Sequence, residues 1–315
     1  MNAVTRAVVG ALAWGGFTFL RVPRLTDHAW AHALLLFVVL VLVPLALELW
    51  RDAEEPAVRL RWFAWVERVQ LPAGLALLVA CWLPPGSIAA AAALPWVVVT
   101  ALLAVIGLWR VQQEGLRRDL DGLCRDAALI FGLVGGMWTV ADRLGYRPLG
   151  FDPEIVLLTA VHFHFAGLLL PLFAGLVQRE LFFWRLASRA AVGVVLGVPA
   201  LAVGITLTQQ GAGPSAEAAA GCGLALAGMV VGVLHVRLAV DSRGPVATRL
   251  LIGIAGVSLF VGMVLAALYA MRAFVTPFPW LGIPQMRMLH GTTNAIGFAL
   301  CGVLGWRRMA RERAA

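Results

Sequence analysis

Two histidines lie inside one long apolar run, where an imidazole is unusual. His162 and His164 fall within residues 159–171, a stretch whose surroundings are apolar enough to cross a bilayer. A histidine at membrane depth is costly and normally faces a protein interior or a wet cavity, so it is a functional hypothesis by default. A second polar group, His290-Gly-Thr-Thr-Asn294, opens the last apolar run. An imidazole can accept or donate a proton, and a carboxamide can orient a substrate.

The spacing of the first pair predicts how its rings point. On a regular helix, side chains two residues apart point in directions that differ by about 160° around the axis. His162 and His164 therefore cannot bind one metal ion together. Pro171 removes the hydrogen bond to the carbonyl of Gly167 and predicts a kink or bulge in this helix. Such a distortion is the one way in which both rings could turn towards one cavity. The alternative is that one imidazole hydrogen-bonds a neighbouring helix as a structural contact.

The second group has helical spacing. His290, Thr293 and Asn294 are spaced i, i+3, i+4 and should share one helix face. We predict that His164 and His290 act as acid and base, with His162 and Asn294 orienting the substrate. A polar clasp between helices is the alternative. Further polar side chains near the same ends of their segments are predicted to bind substrate: Thr293, Tyr269, Arg272, Glu154 and Asp142.

The sequence requires no cofactor. Three histidines with Asp142 or Glu154 could form a mononuclear metal site, but metal-free acid–base chemistry is the preferred interpretation. The four cysteines form no C-x-x-C pair, which gives no support to zinc, covalently attached haem or a disulfide framework. The charged stretch 117–126 lacks the second aspartate cluster of a diphosphate–magnesium site, and we interpret it as a solvated linker.

The composition is that of an integral membrane protein. Of 315 residues 61% are hydrophobic and only 13% are charged, against about a quarter charged in soluble domains. The apolar runs are unbroken, which favours helices over the alternating strands of a barrel. The net charge of +8 comes from arginines dispersed between these runs, so nucleic acid is not an expected partner. The expected partners are the lipid bilayer and a lipophilic small molecule; the oligomeric state stays open.

Ten apolar segments predict an all-α bundle of about ten transmembrane helices in a single membrane domain, residues 1–315. The first segment is either a retained helix or a signal peptide. The third is short and contains Pro72, so we expect it to be tilted or incompletely spanning. The segments are 4–20, 29–50, 69–84, 88–109, 124–141, 153–177, 187–208, 216–238, 247–271 and 287–306.

Arginines alternate between the connections of these segments. The positive-inside rule then places both termini in the cytoplasm, in what we expect to be a bacterial inner membrane. Five of the six histidines fall in the outer half of the bilayer under this topology. The sixth, His235, lies with Glu48 near the inner ends, where each should reach the interface. Tryptophans such as Trp306 are interpreted as interface anchors.

The two histidine stretches resemble those of the YndJ-like family of bacterial polytopic membrane proteins. The residues that carry the resemblance are His162-Phe-His-Phe-Ala-Gly-Leu-Leu-Leu-Pro171 and His290-Gly-Thr-Thr-Asn-Ala-Ile-Gly-Phe298, and the similarity is clearest from about Phe151 to the C-terminus. The resemblance implies this topology and these site residues more than it implies an activity. Members of the family are sometimes labelled transporters.

Two functions therefore remain open. The first is an enzyme that performs acid–base chemistry on a lipophilic, isoprenoid-like substrate from the outer side; it is narrowly preferred because the titratable groups cluster without a continuous polar path to the cytoplasm. The second is a small-molecule transporter or exporter that uses the same histidines for substrate or proton binding. Its inner half offers only Glu48, Gln70 and His235. A structural membrane protein is the third interpretation.

Overall fold

The computed structural model describes residues 1–51, 57–115, 119–181, 185–275 and 278–314. Ten helical runs make up nearly all of this described chain, which contains no strand. They are α1 (Ala3–Arg21), α2 (His28–Trp50), α3 (Ala57–Trp82), α4 (Ser87–Glu114), α5 (Leu120–Leu144), α6 (Pro153–Glu180), α7 (Arg185–Gln209), α8 (Ser215–Asp241), α9 (Val246–Ala270) and α10 (residues 283–314).

Nine helices of the described chain, α1 to α9, are long and apolar enough to cross a membrane. The tenth, α10, is helical throughout but mixes α-helical turns with the π-helical segments Arg287–Gly291 and Thr293–Leu300. The predicted polytopic α-helical bundle is confirmed.

The third segment differs from its prediction. A short apolar run at 69–84 was expected, but α3 begins at Ala57 and is 26 residues long, which is enough to span the hydrocarbon. The sequence pattern misled because Arg61, Glu67 and Arg68 interrupt the apolar run on the first turns of the helix. Glu67 pairs with Arg51 and lies 4.0 Å from Arg6, so these charges are paired within the bundle. Pro72 is accommodated inside the helix.

The chain forms two compact units: residues 1–118 with 125–169, and residues 119–124 with 170–315. Helix α2 is the core of the first unit, since every residue from 30 to 47 is buried. Its sequence is apolar all round, as a helix surrounded by others must be. Helices α3 and α4 pack as an antiparallel pair joined at Gly86, whose φ of +157° suits glycine and whose N–H donates to the carbonyl of Arg143.

Prolines follow two of the π-helical segments. Val38–Leu42 ends two residues before Pro44, and Phe163–Leu169 ends two residues before Pro171. A π-turn bonds residue i to i+5, so the missing N–H of Pro44 would have reached the carbonyl of Val39. The side chain of Gln70 supplies the missing donor, since Nε2 of Gln70 donates to the Val39 carbonyl across 2.7 Å. The prediction of a distorted helix near Pro171 is confirmed, and the distortion lies before the proline.

The second unit is built around α8, which packs against both α7 and α9. Glycines make the α8–α9 contact close: a Cβ on Gly256 would lie 2.5 Å from the carbonyl oxygen of Gly232. Small residues let membrane helices approach in this way, because the bilayer itself supplies little force to drive apolar side chains together. Helix α9 also packs along α10.

Candidate functional site

Both ring nitrogens of His164 are engaged inside the first unit. Trp96 donates from Nε1 to Nε2 of His164 across 2.8 Å, and Nδ1 lies 2.7 Å from the carbonyl oxygen of Ala160. A carbonyl only accepts, so the geometry assigns the proton to Nδ1 and makes the ring neutral. The side chain is fully buried, and Gly135 leaves room for it. This geometry favours the alternative in which His164 forms a structural contact with a neighbouring helix, here called the clasp. The acid–base role of His164 stays a prediction.

The second unit repeats the same arrangement around His235. Trp306 donates from Nε1 to Nε2 of His235 across 3.2 Å, and Nδ1 lies 2.8 Å from the carbonyl oxygen of Val231. His235 is fully buried and Trp306 is 2% exposed. The expectation that His235 reaches the interface was therefore wrong, as was the interpretation of Trp306 as an interface anchor. A buried indole N–H needs an acceptor, and the histidine supplies one in the core.

His162 points away from its neighbour, as the spacing predicts. Its side chain is exposed while that of His164 is buried. The Nδ1 atom of His162 lies 2.8 Å from the carbonyl oxygen of Leu158, one turn earlier. The α-helix ends here, because the π-helical segment begins at Phe163.

His290 and Asn294 lie together on the π-helical part of α10. The Nδ1 atom of His290 is 2.8 Å from the carbonyl oxygen of Gly262 and 3.3 Å from Nδ2 of Asn294, which also donates to the His290 carbonyl. Gly262 permits this close approach, since a Cβ there would lie 2.4 Å from Asn294 Nδ2. The Oδ1 of Asn294 is buried and has no hydrogen-bond partner in the described chain. A buried acceptor of this kind suits a ligand that donates a hydrogen bond.

Two of the predicted substrate-binding residues stack on each other. The guanidinium of Arg272 lies 4.1 Å from the ring centroid of Tyr269 and donates to Glu217 across 2.9 Å. Tyr269 and Arg272 line a cavity of about 220 Å³ near the end of α9. Thr293 is half-buried beside Asn294 on α10, and Glu154 is half-buried in the first turn of α6. Neither has a role that the geometry singles out.

Asp142 belongs to a buried ionic cluster at the end of α5. Its Oδ2 atom is 3.1 Å from Nε2 of His32 and accepts from Nε of Arg143 across 2.7 Å. All three side chains are at most 8% exposed. The His28 ring packs on His32, with centroids 5.3 Å apart. A carboxylate held between an imidazole and a guanidinium can bind a proton or a polar solute if either partner moves.

A second buried pair lies at the opposite end of α5. Nη1 of Arg110 is 3.3 Å from Oδ1 of Asp126, and neither residue is exposed. Arg110 also donates to the carbonyl of Trp50 across 2.9 Å and lies over the ring of Phe63. Carbonyl and aromatic contacts help to compensate for removing the guanidinium from water.

From Leu120 onwards the charged stretch 117–126 is therefore not the solvated linker that its charges predict, while Asp119 is exposed. Asp121, Arg125 and Asp126 are at most 6% exposed, because α5 begins at Leu120 and carries them into the bundle. Arg117 and Arg118 lie outside the described residues. The pattern of mixed charges could not reveal this, since the partner Arg110 comes from another helix.

The predicted acid–base residues divide between the two units. His162 and His164 lie in the first, and His290 and Asn294 in the second, so a shared site remains a prediction. Within the described chain no three His, Cys, Asp or Glu side chains are placed to hold one metal ion.

Comparison with known proteins gives a family. Residues 33–298 match the family described as YndJ-like protein. The chain belongs to the YndJ-like family. It is 27% identical over 220 residues to a Bacillus subtilis (strain 168) protein named "Uncharacterized membrane protein YndJ". That alignment covers 67% of this chain and 37% of the relative, so the chain spans well under half of the relative's length. No solved structure matches.

In this YndJ-like chain the residues that contact the predicted site residues were harder to predict than the site residues themselves. His32, Arg143, Arg110 and Trp96 were not among the predicted site residues, although five of the six histidines had been placed in the outer half and Asp142 had been predicted to bind substrate. Charged residues inside apolar runs were the available signal, since membrane-buried charges normally occur as pairs. The pairing of cations with carboxylates depends on how the helices pack. Helix packing cannot be predicted from a single sequence.

Proposed function

We propose that this YndJ-like protein is a carrier for a small solute, in which the two buried carboxylates of the first unit take part in proton or solute binding. One observation carries the proposal: α5 holds buried aspartates at both ends, Asp126 and Asp142, each beside a buried arginine. They are sixteen residues apart, about 24 Å at 1.5 Å per residue, or most of a hydrocarbon core of about 30 Å.

The buried charges at both ends of α5 support a carrier over an enzyme. An enzyme cavity that opens only to the outer side has no use for a charged pair in the inner half. A carrier needs polar groups on both sides of the bilayer midplane, since its site faces each side in turn. The sequence offered few candidates for the half away from Asp142, and Arg110 with Asp126 adds a fully buried pair at that end of α5.

The middle of α5 packs closely against its neighbours. Gly135 and Gly136 fall there, and a Cβ on Gly136 would lie 2.4 Å from Oγ1 of Thr100. Thr100 and Thr139 are buried polar side chains between the two ionic pairs, and each satisfies its hydroxyl on a backbone carbonyl of its own helix. Such hydroxyls can exchange these bonds for a passing solute at small cost.

Proton movement tests this proposal. Proteoliposomes would be loaded with a pH-sensitive dye and exposed to a panel of small hydrophilic and amphiphilic solutes. A proton-coupled carrier gives a solute-dependent pH change that disappears in Asp142→Asn. The matched control is Asp152→Asn, since Asp152 forms an exposed pair with Arg147 at the same end of the bundle. Flat traces with every solute, from folded protein, would count against the carrier.

An enzyme is the second candidate, favoured by the uncommitted Oδ1 of Asn294 beside His290. These two groups could orient and deprotonate a hydroxyl of a lipophilic substrate, with the exposed His162 as a further candidate. Full turnover of an identified substrate by His290→Ala would exclude it. In either case we propose a bacterial inner-membrane location with both termini cytoplasmic, which rests on the arginine distribution.

A further inference from the structure

A groove runs along the outside of the second unit between α8 and α9. It has a volume of about 540 Å³ and is lined by residues from Val236 to Val240 and from Val246 to Ser258. Its walls are apolar and face outwards: Val240 is 63% exposed, Leu250 59% and Val257 55%. In a membrane-spanning bundle such a surface contacts lipid chains.

An arginine side chain, Arg249, lies at the end of this groove. Arg249 lines it, and its Nε donates to the carbonyl of Ala239 across 2.9 Å, which fixes the plane of the guanidinium. A guanidinium has five N–H donors, so four others remain to meet an anion. Arg249 lies in the first turn of α9, where the helix dipole also favours negative charge. Arg243 is exposed in the preceding loop and does not line the groove.

The dimensions of the groove fit one acyl chain of one leaflet. From Arg249 to Ser258 is nine residues, about 13 Å along the helix. Half of a hydrocarbon core of about 30 Å is roughly 15 Å. A chain lying here would therefore extend from the headgroup level, marked by Arg249, nearly to the bilayer midplane.

We propose that this groove binds one anionic phospholipid, with its phosphate on Arg249 and one acyl chain between α8 and α9. The site is independent of the proposed carrier function, because it lies on the outer surface of the second unit. A guanidinium binds phosphate in paired, charge-assisted hydrogen bonds that a neutral side chain cannot replace. The only carboxylate on this part of α8, Asp241, is already paired with Arg237.

Native mass spectrometry of the full chain from mixed phosphatidylglycerol and phosphatidylethanolamine micelles tests the site. We expect wild type to retain one phosphatidylglycerol molecule after bulk lipid is stripped. Arg249→Gln should weaken this binding about tenfold, the loss expected for one charge-assisted pair. Arg243→Gln removes the same charge nearby and should leave binding within about twofold. Melting temperatures in detergent would establish that each variant is folded.

A second variant tests the acyl-chain part of the site. Gly253 lines the groove, and a Cβ there meets only the Ala239 methyl at 3.5 Å, so Gly253→Phe should fold and fill the groove. It should lose the bound lipid although Arg249 is intact. Equal retention by wild type and Arg249→Gln would overturn the proposal, as would retention without headgroup preference. Binding of soluble glycerophosphoglycerol as tightly as the lipid, or a dimer that Gly253→Phe abolishes, would also overturn it.

Discussion

The indole nitrogen of Trp96 lies 2.8 Å from Nε2 of His164, and the pair is closed by a bond from the imidazole to the carbonyl of Ala160. Trp306, His235 and Val231 form the same chain of bonds in the second unit. Each arrangement satisfies an indole N–H and both imidazole nitrogens in an apolar core. The most conspicuous histidine of the sequence thus has a complete structural role.

Removing the indole N–H should destabilise the first unit. Trp96→Phe keeps most of the apolar volume but leaves Nε2 of His164 buried without its donor, which costs about 1–3 kcal/mol. Trp306→Phe should have a similar effect through His235. Denaturant unfolding in mixed micelles would measure both. Trp65→Phe is the control, because Trp65 is 58% exposed, and it should change the unfolding free energy by less than about 0.5 kcal/mol. Equal stability of all three variants would contradict the clasp.

A double-mutant cycle separates this clasp from catalysis. If His164 serves mainly as the acceptor for Trp96, then Trp96→Phe with His164→Phe should be less destabilised than the sum of the single changes, by about 1–2 kcal/mol. Additive effects on stability, combined with loss of activity in His164→Phe alone, would instead support the predicted acid–base role.

A side chain at Gly262 should destabilise the second unit. A Cβ would lie 2.4 Å from Nδ2 of Asn294, so Gly262→Ala must displace Asn294 or separate α9 from α10, at a cost of about 1–3 kcal/mol. Gly253→Ala on the same helix is the matched control, since its Cβ would meet nothing closer than 3.5 Å. The control should be neutral or slightly stabilising, because alanine favours the helix. Equal thermal stabilities of Gly262→Ala and Gly253→Ala would show that Asn294 is not packed against Gly262.

The ionic pair of Arg110 and Asp126 should be replaceable without loss of the fold. Asp126→Ala removes the carboxylate that faces Arg110 in the core and should cost about 3–5 kcal/mol. Arg110→Met with Asp126→Leu removes both charges and should recover much of that stability, since buried pairs contribute little net stability over apolar groups. The carrier hypothesis predicts that this stable double variant transports nothing. A stable double variant with full transport would assign the pair a structural role only.

The fold was predictable because the backbone of a long apolar run must satisfy its own hydrogen bonds in lipid, which it does by forming a spanning helix. The start of α3 was not, because its charges are paired within the bundle rather than solvated, and pairing depends on other helices. His162 and His164 were correctly expected to diverge, since two residues on a helix must point apart. The buried state of Asp126 and Trp306 was not predicted, because charge runs and aromatics near segment ends usually mark the interface. Only the folded neighbours of these two residues reverse that expectation.

The most direct test of the carrier asks from which side the middle of the first unit can be reached. Thr100→Cys, in a background with Cys81, Cys124, Cys222 and Cys301 replaced by alanine, would be treated with a membrane-impermeant thiol reagent on each side of oriented proteoliposomes. Asp152→Cys and Gln113→Cys would report the two faces, since Gln113 is exposed at the opposite end of the first unit, in the last turn of α4. A carrier whose site opens to each side in turn should show slow modification of Thr100→Cys from both sides. Modification from the Asp152 side alone, or from neither side, would contradict it.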